Sequence, residues 1–266
     1  MRFSIGRLGP SFSSLFGRCP ISPAGRFAEV GWIVDADKGA VIYPAPKRLS
    51  RQESDVRHVK SLRYCPAMLD YEARIFEVPS PFDLRIRLGK DEKTGAPVLV
   101  NALGERSPVR GNYLNKIVHL VPQREWRDPA KPVVQISAPY LFVTDEPIWM
   151  NQMPPFAHYR SPQWPGLFIG GRFPIDVWPR HLMWAFEWHD TSQDLELKRG
   201  EPWFYCRFEH MDPSRPVKLI EAEMTPALRD YVNSCSTVTN YVNRTFSLFD
   251  TARERRPEKL LTPKTR

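Results

Sequence analysis

The chain has 266 residues, 42% hydrophobic and 26% charged, which fits an ordinary globular domain and excludes a disordered chain, a collagen-like fibre and a small disulfide scaffold. Mean hydropathy is −0.43, and no uninterrupted apolar run reaches the ~18 residues of a membrane helix. The net charge of +8 sits in the two ends: residues 1–28 hold Arg2, Arg7, Arg18 and Arg26 with no acid, 253–266 hold six basic residues against two acids, and 29–252 is balanced.

A neutral body argues against a nucleic-acid reader, which presents a basic folded face; only the tails could touch phosphates or dock on acidic protein neighbours. The acid-free start, rich in Ser and Arg, also has the composition of an organelle transit peptide. Its prolines and glycines interrupt a long amphipathic helix, so an extended basic arm over 1–28 is the better reading. No 7–15-residue apolar core marks a secretory signal, which leaves a cytoplasmic or virion location. The cysteines Cys19, Cys65, Cys206 and Cys235 are scattered and read as free thiols rather than a zinc knuckle.

After the arm, 28–34 and 39–45 read as two strands of a hairpin about Asp35–Lys38. Residues 71–78 read as a strand. In 82–89, Phe82, Leu84, Ile86 and Leu88 alternate with Asp83, Arg85 and Arg87, the pattern of a half-buried strand that turns through 90–97 into 98–103. Residues 111–121 fit a short helix or a strand. Residues 132–144 are β-branched and aromatic, with a break at Pro139. The stretch 145–180 carries Trp149, Trp164 and Trp178 among seven prolines and reads as a long loop packed by its own aromatics.

Residues 181–190 form the strongest strand, with Trp184, Phe186 and Trp188 on one face and His181, Met183, Ala185, Glu187 and His189 on the other. Residues 194–209 read as a hairpin through Lys198–Glu201, and 217–224 close the set. Nine or ten short strands without alternating helices predict a mainly β fold, an antiparallel β-sandwich of jelly-roll type over 29–224. One long helix over 225–252 follows, with Thr225 as N-cap and Pro226 in the first turn. Leu228, Tyr231, Cys235, Val238, Val242, Thr245 and Phe249 form a heptad seam that could pack on the chain's own sheet or on a neighbour. Arg253, Arg255 and Arg256 suit the helix C-terminus and begin a basic tail over 253–266.

No phosphate loop, nucleophile elbow or zincin motif is present. His181, Glu187 and His189, with His158 as a further donor, are candidate iron or zinc ligands on one strand face. His210-Met211-Asp212 has the spacing of an iron-oxygenase pair but lacks a later histidine, and Asp212-Pro213 reads as a turn.

The segments RYCPAML, VPSPFDLRI, APYLFVTDEPIWMNQMPPF, LMWAFEW and LKRGEPWFYCRF resemble a loosely defined family of proteins of tailed bacteriophages and some bacteria. The matching positions are Cys65, Pro66, Ala67, Ser80, Pro81, Asp83, Met153, Pro154, Pro155, Phe156, Gly200, Glu201 and Pro202. The resemblance spans roughly 60–210 and implies a phage context without an activity. The expected role is therefore a non-enzymatic structural or assembly protein with protein subunits as partners. Its contacts would run through the arm (Arg2, Arg7, Arg18, Arg26), the loop (Trp149, Phe156, Trp164), the helix (Leu228, Tyr231, Val238, Val242, Phe249) and the tail (Arg255, Arg256). The alternative is a metal-dependent enzyme or small-ligand binder on the 181–189 face.

Overall fold

The computed structural model describes residues 27–36, 41–50, 61, 64–109, 111–238 and 245–265. In chain order the elements are β1 (Ala28–Val34), β2 (Lys47–Arg48), α1 (Pro66–Glu72), β3 (Ile75–Pro79), β4 (Leu84–Lys90), β5 (Pro97–Asn101), α2 (Gly111–Ile117) and β6 (Val118–Leu120). There follow β7 (Val133–Ala138), β8 (Tyr140–Val143), β9 (Ile148–Met153), β10 (Gly166–Ile169), β11 (Gly171–Pro174) and β12 (Leu182–Trp188). The last are β13 (Leu195–Leu197), β14 (Pro202–His210), β15 (Val217–Glu221), α3 (Pro226–Val238) and α4 (Thr245–Glu254). With 37% strand against 19% helix, the protein is mainly β.

The strands form four sheets, in the orders β15-β1-β8, β10-β12-β7-β6, β11-β9-β14-β3-β2 and β13-β4-β5. Every ladder is antiparallel except that of β1 with β15, which is parallel. One core is shared by all four sheets and holds Tyr140, Phe142, Trp184, Phe186, Trp188, Trp203, Phe204 and Phe208. Within it Trp184 and Phe186 lie parallel at 5.3 Å between centroids, while Phe142 and Phe208 tilt at the same separation. Such ring pairs add about 0.5–1.5 kcal/mol each beyond the area they bury.

Two breaks in the chain pass strands between sheets. Pro139 lacks an N–H for the ladder and separates β7, in the four-stranded sheet, from β8, in the first three-stranded sheet. Gly170 does the same between β10 and β11: a Cβ there would lie 2.4 Å from the Gln152 carbonyl oxygen, so only glycine lets the strands meet at this corner.

A second core lies behind the β15-β1-β8 sheet. Ile33, Leu141 and Val143 face Leu228, Tyr231, Val232, Cys235 and Val238 of α3, together with Ala252, Leu260 and Leu261. The Thr225 hydroxyl caps α3 by accepting the Leu228 N–H at 3.2 Å.

Several expectations need correction. Residues 28–34 do form β1, but its partners are β8 and β15, and 41–45 is not a strand, so the first hairpin does not exist. The 71–78 strand begins only at Ile75, because α1 and a turn precede it. The 111–121 segment is both of its alternatives, α2 and then β6. The long loop over 145–180 contains three strands, β9, β10 and β11, and β9 is interior to the five-stranded sheet. Prolines bracket these strands rather than abolish them. The 194–209 hairpin is absent too: β13 pairs with β4, and β14 with β3 and β9.

The single helix over 225–252 is two helices. The Tyr231 hydroxyl lies 2.6 Å from the Val177 oxygen and 3.0 Å from the Ala252 oxygen. In one rod, residues 231 and 252 would stand about 30 Å apart. The chain therefore folds back, because the apolar stripe, widened by Val232, covers a sheet instead of following a partner helix.

Candidate functional site

The proposed metal ligands do not converge. His181 precedes β12 and places Nε2 3.0 Å from Asp35 Oδ2, a carboxylate that also accepts Arg229 at 3.2 Å. Glu187 stands six residues on, about 20 Å along a strand. Its Oε1 lies 2.9 Å from His189 Nε2, and its Oε2 accepts Arg127 Nε at 2.8 Å. These two partners, His189 first, hold the Glu187 carboxyl below its ordinary pKa. His158 is elsewhere, 3.7 Å from Glu201. Only Glu187 and His189 come together, and among the described residues no group of three His, Cys, Asp or Glu side chains is disposed to hold a metal. Asp212 caps a turn through Ser214 N at 2.9 Å, and His210 Nδ1 accepts the Asp212 N–H at 3.0 Å, as the turn reading requires.

The helix residues offered for partners are used internally. Leu228, Tyr231 and Val238 are buried in the second core, and Phe249 is partly buried with its ring 6.4 Å from Trp149 and 5.9 Å from Trp178. Arg256 Nε donates to the Asp176 oxygen at 2.6 Å, which fastens the start of the 253–265 segment to the body. Further along, Leu260 N donates to Asp145 Oδ1 at 2.6 Å and Lys264 N to the Glu221 oxygen at 3.0 Å. Arg255 is exposed. Arg2, Arg7, Arg18, Arg26 and Val242 lie outside the described residues.

Of the aromatic residues, Trp164 is anchored by its Nε1 donating to the Glu196 oxygen at 2.8 Å and by the Arg160 guanidinium 4.4 Å over its ring. A cleft beside it, lined by Arg160, Pro162, Trp164, Asp194 and Lys198, has a volume of about 10 Å³. That admits about one water. Phe156 remains 48% exposed.

Among the described residues two surfaces of the β body stand out. The first is an edge. β10 and β11 run consecutively from Gly166 to Pro174, as the outermost strands of the four- and five-stranded sheets. β10 bears no charged residue, and its Leu167 is 57% exposed. On the outer face of the four-stranded sheet Leu167 stands opposite Glu187 and Ile169 opposite Ala185, with Met183 and Ala185 partly exposed.

The second surface is the outer face of the five-stranded sheet. Arg172 of β11, Asn151 of β9 and Arg207 of β14 stand in register across three strands, a row about 10 Å long. The Glu209 carboxylate accepts from both guanidiniums, Arg172 at 3.2 Å and Arg207 through a short contact. Each guanidinium also lies over a ring, Arg172 4.2 Å from Trp149 and Arg207 4.7 Å from Tyr71. Asn151 Nδ2 and Arg207 Nε are buried donors without an acceptor. A buried donor left unpaired costs about 1–3 kcal/mol, and here two oppose each other on adjacent strands. Composition alone hides this row, because its members lie far apart in the chain; only period 2 along two strands correctly assigned as neighbours could have found it.

No family model matches the chain, and no curated protein matches it significantly. Among the described residues no helix is long and apolar enough to cross a membrane.

Proposed function

We propose that this is a non-enzymatic structural or assembly protein, a component of a tailed-phage particle or of its assembly, acting in the virion or the host cytoplasm. Its body is read as a jelly-roll-like β-sandwich, and its partners as further protein subunits. The observation that carries the reading is β10, an uncharged outermost strand whose Leu167 is 57% exposed. Soluble monomers blunt such edges with charges, prolines or a covering element; β10 has none of these within it.

The occupant that fits best is a second copy of the same edge. Antiparallel self-pairing about Phe168 sets Gly166 against Gly170 and Leu167 against Ile169, with no like charges opposed and a two-fold axis between the copies. Light scattering at up to about 100 µM, where even weak pairing is populated, tests this. The expected result is a mass above the 30.9 kDa of one chain. Leu167→Lys with Ile169→Lys should return the monomer at an unchanged Tm. A wild-type protein that stays monomeric throughout, or a double variant that still associates, would refute the edge as the contact.

A further inference from the structure

Beyond assembly, we infer that the Arg172–Asn151–Arg207 row is a binding subsite for a carboxylate. The row offers two guanidiniums against one acid, Glu209, so it keeps one net positive charge. Of the acids near this face, Glu77 is paired with Lys47 at 2.8 Å, and Glu72 lies toward Tyr205. What the row lacks is an acceptor. Asn151 Nδ2 and Arg207 Nε are buried, belong to residues opposite each other in the ladder, and have no partner. Their five companions among the buried unpaired polar atoms, such as Trp203 Nε1 and Gln152 Nε2, do not form such an opposed pair on one face.

A carboxylate answers both features, since it accepts only, carries one negative charge and presents two oxygens to two donors. The flanks suit the carbon skeleton that bears it. Trp149 and Phe249 stand on one side, and Tyr71, Met153 and Phe156 on the other, the Tyr71 hydroxyl lying 3.7 Å from the Met153 sulfur. Rings on each guanidinium and the shared Glu209 hold the two arginines in place, and a carboxylate reaches the buried donors as a neighbouring side chain swings aside.

The carboxylate could belong to a small acid or to an acidic side chain of a peptide, and the experiment separates them. The Asn151 side-chain NH₂ and Arg207 Nε–H resonances of the ¹⁵N-labelled full chain are followed at low salt with acetate, acetyl-glutamate amide, acetyl-glutamine amide and inorganic phosphate. Saturable movement of both resonances with the two carboxylates, and none with the glutamine compound, is expected. Affinity about tenfold tighter for acetyl-glutamate amide than for acetate assigns a peptide source, and equal affinity a small acid. Arg207→Lys keeps the charge but removes Nε and should weaken binding about tenfold. Asn151→Asp supplies a carboxylate from within and should abolish it. Still resonances at about 50 mM carboxylate, equal response to the glutamine compound, response to phosphate alone, or full binding by a folded Asn151→Asp would each overturn the proposal. The Leu167→Lys, Ile169→Lys protein should bind as the wild type does, so loss of the subsite and loss of the edge contact are separate results.

Discussion

The β15-β1-β8 sheet and the β10-β12-β7-β6 sheet pack into the same core with similar side chains, yet their far sides differ. In β8, Tyr140 and Phe142 enter the shared core while Leu141 and Val143 enter the second, so every residue of the strand is buried. In β12, Trp184, Phe186 and Trp188 are buried, but Met183 and Ala185 on the reverse face have only partial cover. The protein places α3, α4 and Leu260–Leu261 behind one sheet, whereas the reverse face of the other stays partly exposed at Met183 and Ala185. Among the described residues that reverse face is mixed, with Glu187, Gln135 and Ser137 beside Met183 and Ala185, and it is the uncharged strand β10 at its margin that offers a partner unpaired backbone.

The comparison breaks first if the shared core is not dominant. Trp184→Ala should cost about 3–5 kcal/mol by denaturant unfolding, against about 2–5 for Leu141→Ala in the second core. Gly31 tests the helix-covered side by overfilling it, since a Cβ there would lie 2.4 Å from Leu261 Cδ1 and 2.8 Å from Ala222 Cβ. Gly31→Ala should therefore cost about 1–3 kcal/mol and open 255–265 to limited proteolysis. Ala185→Val on the uncovered sheet should stay within about 0.5 kcal/mol of wild type. Equal costs for these last two would mean that the four-stranded sheet is covered after all.

The two cores also carry separate thiol reporters. Cys206 is fully buried in the shared core, and burial pushes its pKa up. Cys235 lies in the second core, with burial raising its thiol to about 11. Neither should react with a disulfide reagent at pH 8 in the native protein. In mild denaturant Cys235 should label before Cys206, by mass mapping of the modified peptides, because α3 and α4 form an outer layer over the smaller second core and can open as a unit. Simultaneous labelling would make the two cores one cooperative block.

What was legible in the sequence follows the same division. β4, β5, β12 and the start of α3 were readable because period 2 and the Thr225-Pro226 cap act locally. The strands β9, β10 and β11 were hidden because prolines at 154, 155, 162 and 165 suggested a loop, whereas they occupy the connections between strands. Partners were misassigned where chain neighbours part company, as with β13 and β14: a turn of the right chemistry at Lys198–Glu201 need not close a hairpin when each arm has a better-matched strand elsewhere. The seam from Leu228 to Phe249 had the right residues for two destinations, and periodicity cannot choose between a sheet and a second helix. For the site, Glu187 and His189 were correctly joined, but Arg127, which completes their cluster, arrives from 60 residues away without any local sign.

A small, pH-dependent effect concerns a sheet face closed in a third way, by charge. On the wet face of β4, Arg85 Nε and Arg87 Nε donate to opposite oxygens of Asp194, at 2.6 and 2.8 Å. Chiefly the Arg87 hydrogen bond, and then Arg85, holds the Asp194 carboxyl below its ordinary pKa. A carboxylate lowered on folding stabilises fully above its unfolded pKa, and that contribution disappears as pH falls through the folded value. Asp194→Asn should therefore cost about 1 kcal/mol or less at pH 7, since both arginines are largely in water. Wild type and variant should converge as the pH is taken below about 4. A gap that persists unchanged at pH 3 would show that the amide is packed wrongly, and that β13 is held to β4 by fit rather than by the two guanidiniums.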